Sequence, residues 1–237
     1  MSKYISLFLI IFFFISCKQE KVMPKVRYEN NSKNKVANKA DTAQIRVADL
    51  PIHFDGTNFL IYPLANLNTS SRDRAYDASS SNNNPSFIVS NTNDFQITGF
   101  LSNLKFQEIN SDSLKVLSEK PILIETATYL KSFADKNKHQ FMVYTLSDSD
   151  TNKDGKLDEN DIQSLYLSDT SGTNFIKISP DLNELIDWNC IDKNGRLYFR
   201  TIEDSNKNGE FDKFDKVHYH YVNLLSKDLK PVEYQVF

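Results

Sequence analysis

Residues 150–161, DTNKDGKLDEND, are the most informative stretch of this chain, and residues 204–215, DSNKNGEFDKFD, repeat their pattern. Each copy has Asp at positions 1, 9 and 12, Asn at position 3, Asp or Asn at position 5 and Gly at position 6. Side chains at alternate positions of such a segment point inward, and the glycine permits the positive φ of a sharp turn. The pattern therefore predicts two oxygen-lined loops of one shape.

An oxygen-lined loop suits Ca²⁺, a hard cation that takes six to eight oxygen ligands. Positions 1, 3, 5 and 9 offer side chains, position 7 offers its main-chain carbonyl, and position 12 is either a ligand or a group that supports the loop. The candidate metal residues are Asp150, Asn152, Asp154, Lys156, Asp158 and Asp161 in the first loop, and Asp204, Asn206, Asn208, Glu210, Asp212 and Asp215 in the second. The alternative is a pair of turns without metal, because Asp, Asn and Gly favour turns in any case.

Charge distinguishes the two loops. The first carries four aspartates, whereas the second carries three and has the neutral Asn208 at position 5. Affinity for Ca²⁺ rises with the number of charged ligands, so we expect the first loop to bind more tightly. We expect the metal to be structural, since it would neutralise carboxylates that otherwise repel one another.

The sequence around the loops predicts strands. Aromatic and β-branched runs precede the loops at residues 140–146 and 196–202, and similar runs follow at 162–167 and 217–222. The loops resemble the EF-hand calcium loop and, more closely, the calcium hairpins of integrin alpha-subunit propellers. The EF-hand has a helix on each side and Glu at position 12, whereas this chain has Asp there. The resemblance to the integrin hairpins implies that each loop joins two antiparallel strands.

A repeat of strands predicts a mainly β fold of antiparallel four-stranded units. The last copy comprises residues 185–191, 196–202, 217–223 and 232–236; the copy before it comprises 122–130, 140–146, 162–168 and 175–179. A fainter first copy has predicted strands at 58–62 and 86–89, with the Ser- and Asn-rich residues 66–84 in place of a calcium loop. Residues 165–179 resemble a strand-turn-strand unit of Tol-type and other WD40-like propellers. That resemblance implies a propeller-like fold, complete or incomplete; a stack of antiparallel sheets and a β-sandwich remain as alternatives.

The N-terminus has the layout of an exported protein. Lys3 precedes an apolar run at residues 5–15, which is too short to span a bilayer as a helix. Together with Cys17 this segment resembles a bacterial lipoprotein signal, although Phe14 stands where Leu is usual. The resemblance implies a signal peptide over residues 1–16, lipid attachment such as palmitate at Cys17, and a membrane-anchored protein of the bacterial cell envelope. Lys18 after the cysteine implies sorting to the outer membrane.

The polar residues 17–43 are predicted to be a disordered tether, and residues 44–237 to be the β domain, because the tether region has few apolar side chains to bury. The formal net charge is −3, and no basic stripe with interleaved aromatics is present, so nucleic acid is not an expected partner. With Cys17 lipidated, Cys190 has no disulfide partner and is expected to be a buried structural thiol.

No catalytic residues are predicted, because no nucleophile elbow, P-loop or HExxH motif occurs. His218 and His220 share one face of a predicted strand, which suits either a transition metal or a polar surface. Trp188 is expected in the core. The sequence thus favours a non-enzymatic, lipid-anchored envelope protein that binds two Ca²⁺ ions. A partner- or ligand-binding subunit of an envelope complex is the alternative, followed by a glycan or peptide hydrolase.

Overall fold

The structure, a computed structural model, describes residues 24–28, 44–68 and 87–237. Its strands are β1 (Gln44–Ala48), β2 (Ile52–His53), β3 (Phe59–Asn68), β4 (Asn91–Asn93), β5 (Gln96–Leu101), β6 (Asn103–Glu108), β7 (Leu114–Val116), β8 (Leu123–Tyr129), β9 (Phe141–Ser147), β10 (Ser164–Asp169), β11 (Ile176–Lys177), β12 (Asn183–Ile191), β13 (Arg196–Glu203), β14 (Lys216–Asn223) and β15 (Pro231–Glu233). A short helix α1 (Lys131–Asn137) links β8 to β9, and a 3-10 turn (Asp192–Asn194) links β12 to β13.

Within the described part of the chain, the strands form three antiparallel sheets. The first has the order β1-β3-β6-β7, with β2 also paired to β3. The second, which we call the central sheet, has the order β11-β10-β9-β8-β5-β4, and the third has the order β12-β13-β14-β15. The prediction of a mainly β, antiparallel fold is confirmed.

The central sheet is buried on both faces. Met142, Tyr144 and Leu146 of β9 join a core shared with the first sheet, where their neighbours include Ile61 and Phe106. The intervening Phe141 and Val143 join a second core that is shared with the third sheet. All seven residues of β9 are buried, which explains why its sequence, FMVYTLS, is nearly continuously apolar instead of alternating.

The third sheet has one buried face and one open face. Leu197, Phe199 and Thr201 of β13 are buried, whereas the residues between them are partly or fully exposed. The side chains of a strand alternate between its two faces, so this pattern places one face on the second core and the other toward solvent.

The predicted repeats are correct for the last copy and need correction for the others. The last copy is a four-stranded meander, β12 to β15. The copy before it forms β8 to β11, but β5 and β4 extend it to six strands. The faint first copy is wrong as a unit, because residues 58–62 contribute to β3 of the first sheet while residues 87–89 are in no strand. In the structure, β3 pairs with β6 and not with a strand at the predicted residues 86–89.

Several predictions concern residues outside the described part of the chain. The signal peptide over residues 1–16, Cys17 and most of the loop at 66–84 lie there. So does the predicted tether, except for residues 24–28. Among the described residues, no helix has the length and apolar character needed to cross a membrane.

Candidate functional site

The two acidic loops occupy equivalent places in two hairpins. The first joins β9 to β10, whose register pairs Leu146 with Ser164. The second joins β13 to β14, whose register pairs Glu203 with Lys216. The prediction that strands and not helices flank each loop is confirmed.

Both loops are organised by hydrogen bonds from the backbone to the aspartate at position 1. In the first loop the Asp150 carboxylate accepts from the amides of Asp154 (3.1 Å) and Gly155 (2.9 Å). In the second loop Asp204 accepts from the amides of Asn208 (3.1 Å) and Gly209 (2.7 Å). The same two contacts, to positions 5 and 6, therefore fold each segment back over its first residue.

The equivalence continues at positions 3 and 5. The Asn152 and Asn206 side-chain oxygens each accept from the amide two residues later, at 2.9 Å in both loops. Asp154 and Asn208 do the same at 2.8 Å. Positions 4 and 6 have positive φ in both loops: 58° and 89° in the first, 58° and 86° in the second. Glycine suits the sixth position, where L side chains are strained.

Position 12 closes each loop. Asp161 accepts from the amides of Thr151 (2.7 Å) and Asp158 (3.0 Å). Asp215 accepts from the amides at the matching positions, Ser205 (3.0 Å) and Asp212 (2.8 Å). Burial raises the pKa of Asp161 above its usual range, although these amide hydrogen bonds act in the opposite direction. Of its two predicted roles, this geometry favours position 12 as the group that supports the loop.

The chemistry of the loops fits a hard cation. Positions 1, 3, 5 and 9 offer carboxylate or amide oxygens, and a carboxylate oxygen that accepts one N–H keeps a lone pair for a metal. Within residues 24–28, 44–68 and 87–237, no three His, Cys, Asp or Glu side chains converge as a metal-binding group. Asp150, Asp154 and Asp158 of the first loop are therefore not gathered around one point in this structure. The second loop has only two aspartates at these positions, and its predicted ligands include two asparagines and a main-chain carbonyl.

Sequence reasoning missed a contact between the loops and the N-terminal region. Residues 24–28, within the predicted tether, lie across both loops. The Lys25 amide donates to the Gly209 carbonyl (2.8 Å), and the Arg27 amide donates to the Thr151 carbonyl (3.0 Å). The sequence signal is a short run of apolar residues, Val22, Met23, Val26 and Tyr28, in a stretch that is mostly polar.

Of the two strand histidines, His218 contacts two carboxylates and His220 is buried. His218 lies 2.8 Å from Glu233 through Nδ1 and 3.0 Å from Glu203 through Nε2. The hydrogen bond from His218 lowers the pKa of Glu233. His220 is buried and stacks on Phe199, with ring centroids 4.9 Å apart. His218 therefore links the last three strands, and a transition metal is not needed to explain the position of either histidine.

We predict that His220 makes folding sensitive to mild acid. Burial lowers its pKa, against a smaller opposite effect of the Glu233 charge, so the unfolded chain takes up a proton at a higher pH than the folded chain. Stability should fall as the pH decreases through about 6.5, by at most about 1.4 kcal/mol per pH unit for one proton. Urea unfolding of the wild type and of His220→Phe between pH 7.5 and 5.5 measures this. Parallel stability curves for the two proteins would contradict the prediction.

Other reactive groups have structural partners. Burial, reinforced by the neighbouring Asp192 charge, raises the pKa of the half-buried Cys190 thiol to about 12. Such a thiol stays protonated at neutral pH and is a poor nucleophile. Trp188 is partly buried and packs against the second core. Asp148 is held by Lys177 (2.8 Å) and by the Tyr166 hydroxyl (2.6 Å).

Comparison of the chain with protein-family models, with curated proteins and with solved structures found no match.

Proposed function

We propose that this chain is a lipid-anchored cell-envelope protein that binds two structural Ca²⁺ ions, one in each acidic hairpin loop. The observation that carries the proposal is the position-by-position equivalence of the two loops. Positions 1, 3, 5 and 12 accept matching backbone hydrogen bonds in both loops. The repeated spacing gives both loops the same series of side-chain oxygens, as two binding sites of one kind would have.

In each loop Ca²⁺ would be held by side chains at positions 1, 3, 5 and 9 and by the carbonyl of position 7. The ion supplies positive charge that offsets the repulsion among the carboxylates. The first loop has three aspartates at these side-chain positions and the second has two. We therefore expect the first loop to bind more tightly.

The expected result of a thermal melt is a rise in Tm with Ca²⁺ relative to a chelator. A ligand that binds only the folded state adds about 2.7 kcal/mol per site at 100 times its Kd. For a domain of this size the rise is about 5–10 °C per site. Mg²⁺ at the same concentration is the control, because it prefers a smaller, strictly octahedral site. Equal melting temperatures in Ca²⁺ and chelator would contradict the proposal.

The membrane anchor depends on the resemblance of residues 1–17 to a lipoprotein signal. Cys17 would carry the lipid in the outer membrane, and the β domain would lie at the membrane surface. Mass spectrometry of the membrane fraction tests this assignment. We expect a mature N-terminus at Cys17 with bound acyl chains, and loss of membrane association in Cys17→Ser.

The three successive antiparallel sheets support a propeller-like arc as the finer architecture. Each of the two loop-bearing sheets contains a meander in which the acidic loop joins the second and third strands. Successive sheets pack face to face through the two cores. The first core alone would also be compatible with a two-layer β-sandwich, whereas burial of both faces of the central sheet calls for three layers, as in an arc or in a stack of antiparallel sheets.

A partner-binding role is the second candidate, and the open face of the third sheet favours it. Aromatic rings at least partly exposed to solvent cluster there: Tyr198, Tyr219, Tyr221, Tyr234 and Phe237. Tyrosine and arginine are enriched at binding hot spots, and the Arg196 guanidinium lies 4.1 Å from the centre of the Tyr221 ring. A partner that co-purifies with the wild type but not with Tyr219→Ser/Tyr234→Ser would support this role, whereas equal recovery would contradict it.

A further inference from the structure

The contact between residues 24–28 and the two loops involves side chains as well as backbone. Val26 is only 3% exposed. The Lys25 ammonium lies 2.6 Å from the Glu184 carboxylate, which itself accepts from the Gln163 amide just after the first loop. The segment is therefore held on the first-loop side by an ion pair as well as by its backbone.

On the second-loop side, Tyr28 lies near the position-1 aspartate. Burial, followed by the negative charge of the nearby Asp204, raises the pKa of Tyr28 to about 12. The Lys207 ammonium lies 6.0 Å from the centre of the Tyr28 ring. The segment thus lies beside the second loop and near its position-1 aspartate.

Thr151 connects the segment to the frame of the first loop. Its hydroxyl donates to the Lys25 carbonyl (2.7 Å) and also accepts from the Ile162 amide (2.9 Å). The Thr151 amide meanwhile donates to Asp161, the closing residue of the loop. One residue therefore serves both the loop closure and the docked segment.

The two loop glycines differ in their surroundings. Their φ values are nearly equal, 89° at Gly155 and 86° at Gly209. A Cβ added to Gly155 would meet nothing within 4 Å, whereas one added to Gly209 would lie 2.5 Å from the Val26 carbonyl oxygen and 2.8 Å from Pro24. At Gly209 the missing side chain therefore also lets the segment approach the loop.

We propose that the two acidic loops together form a peptide-docking site for the chain's own residues 24–28, and that docking is coupled to Ca²⁺ binding. The coupling rests on the proposed calcium function of the loops. The acceptors of the segment, the carbonyls of Thr151 and Gly209, belong to loop positions 2 and 6. If repulsion among its own carboxylates loosens a loop, the loop no longer holds its carbonyl in position to accept a hydrogen bond from the segment.

The coupling is reciprocal. Ca²⁺ orders the loops and so reduces the conformational entropy lost when the segment docks, and the docked segment reduces the entropy lost when Ca²⁺ binds. With Cys17 as the lipid anchor, docking also limits how far the domain can stand from the membrane. Between Cys17 and Pro24 the chain reaches at most about 25 Å, whereas a chain free up to Gln44 reaches about 95 Å. Calcium would therefore set the distance between domain and lipid.

Hydrogen–deuterium exchange on the purified full chain tests the docking. We expect the amides of Lys25 and Arg27 to exchange more slowly in Ca²⁺ than in chelator. Gly209→Ala and Gly155→Ala form a matched pair, because both strain a left-handed backbone but only the first blocks the segment. We expect Gly209→Ala to remove the protection of residues 24–28 in Ca²⁺ and Gly155→Ala to leave most of it.

Calorimetric Ca²⁺ titration of Val26→Asp tests the coupling, with Val232→Asp on the exposed strand β15 as the control. We expect Val26→Asp to weaken the apparent affinity about tenfold, within the usual range for coupled sites, and the control to leave it unchanged. The coupling would be overturned if the wild type binds Ca²⁺ but residues 24–28 exchange at the same rate in Ca²⁺ and in chelator, or if Val26→Asp binds Ca²⁺ as tightly as the wild type. Either result would leave the proposed function intact. Absence of calcium binding by the wild type would overturn both.

Discussion

Replacing Asp150 by Ala is expected to abolish one of two Ca²⁺ sites and to leave the other. Asp150 accepts hydrogen bonds from the amides of positions 5 and 6 of its own loop, so its loss removes both a charged ligand and the contacts that fold the loop. The second loop is built on the corresponding contacts of Asp204. Asp204→Ala should therefore remove the other ion.

The measurement is a Ca²⁺ titration combined with a thermal melt of each variant. We expect one bound ion in each single variant, about half of the wild-type Tm shift, and neither ion nor shift in the double variant. Because the first loop is predicted to bind more tightly, Asp150→Ala should remove the tighter component. Asp112→Ala, at an exposed position outside the loops, is the matched control. Two ions still bound by Asp150→Ala would show that the loop is not a site.

Shortening a buried side chain on either face of the central sheet is expected to lower the free energy of unfolding substantially. Leu146 lies in the core shared with the first sheet and Leu165 in the core shared with the third sheet, and both are fully buried. Each change to Ala leaves a cavity and should lower the free energy of unfolding by about 2–5 kcal/mol. The exposed Leu50, 86% accessible, is the control, for which we expect a change within about 0.5 kcal/mol.

Chemical denaturation of the three variants measures these changes. Equal, large losses for Leu146→Ala and Leu165→Ala would show that both faces of the central sheet are packed. A loss below about 1 kcal/mol at either position would contradict the two-core arrangement. It would also remove the main support for a propeller-like arc over a two-layer sandwich.

Local sequence patterns predicted the parts of this fold that local physics determines. The loop pattern and the flanking aromatic runs placed β9, β10, β13 and β14 within two residues of their observed bounds. Turn chemistry and strand alternation act over short distances, so both can be read from neighbouring residues. The four strands of the last sheet were found for the same reason.

Pairings between distant strands were not predictable in this way. The sequence of β5 does not show that it joins β8 of a later hairpin, nor does that of β3 show that it pairs with β6. The short helix α1 was also missed, because its segment, KSFADKN, has only two buried residues, Phe133 and Ala134. Tertiary packing, which a single sequence shows poorly, decided these features.

The docking of residues 24–28 on the loops was not predicted from the sequence. Composition marks residues 17–43 as too polar to fold, and this argument is sound for a segment that must bury its own side chains. Residues 24–28 instead use acceptors that the loops already present, and bury one valine. Five residues can dock in this way without changing the average composition of the stretch around them.

A count of Ca²⁺ bound to the wild-type protein by equilibrium dialysis tests the central claim most directly. We expect two ions per chain at saturation, with the first loop filling before the second and with Mg²⁺ unable to displace them at equal concentration. A count of zero up to millimolar Ca²⁺, about the upper end of the range for extracellular modules, would contradict it. The two loops would then be matched turns, and the protein's function would have to be sought elsewhere on the β domain.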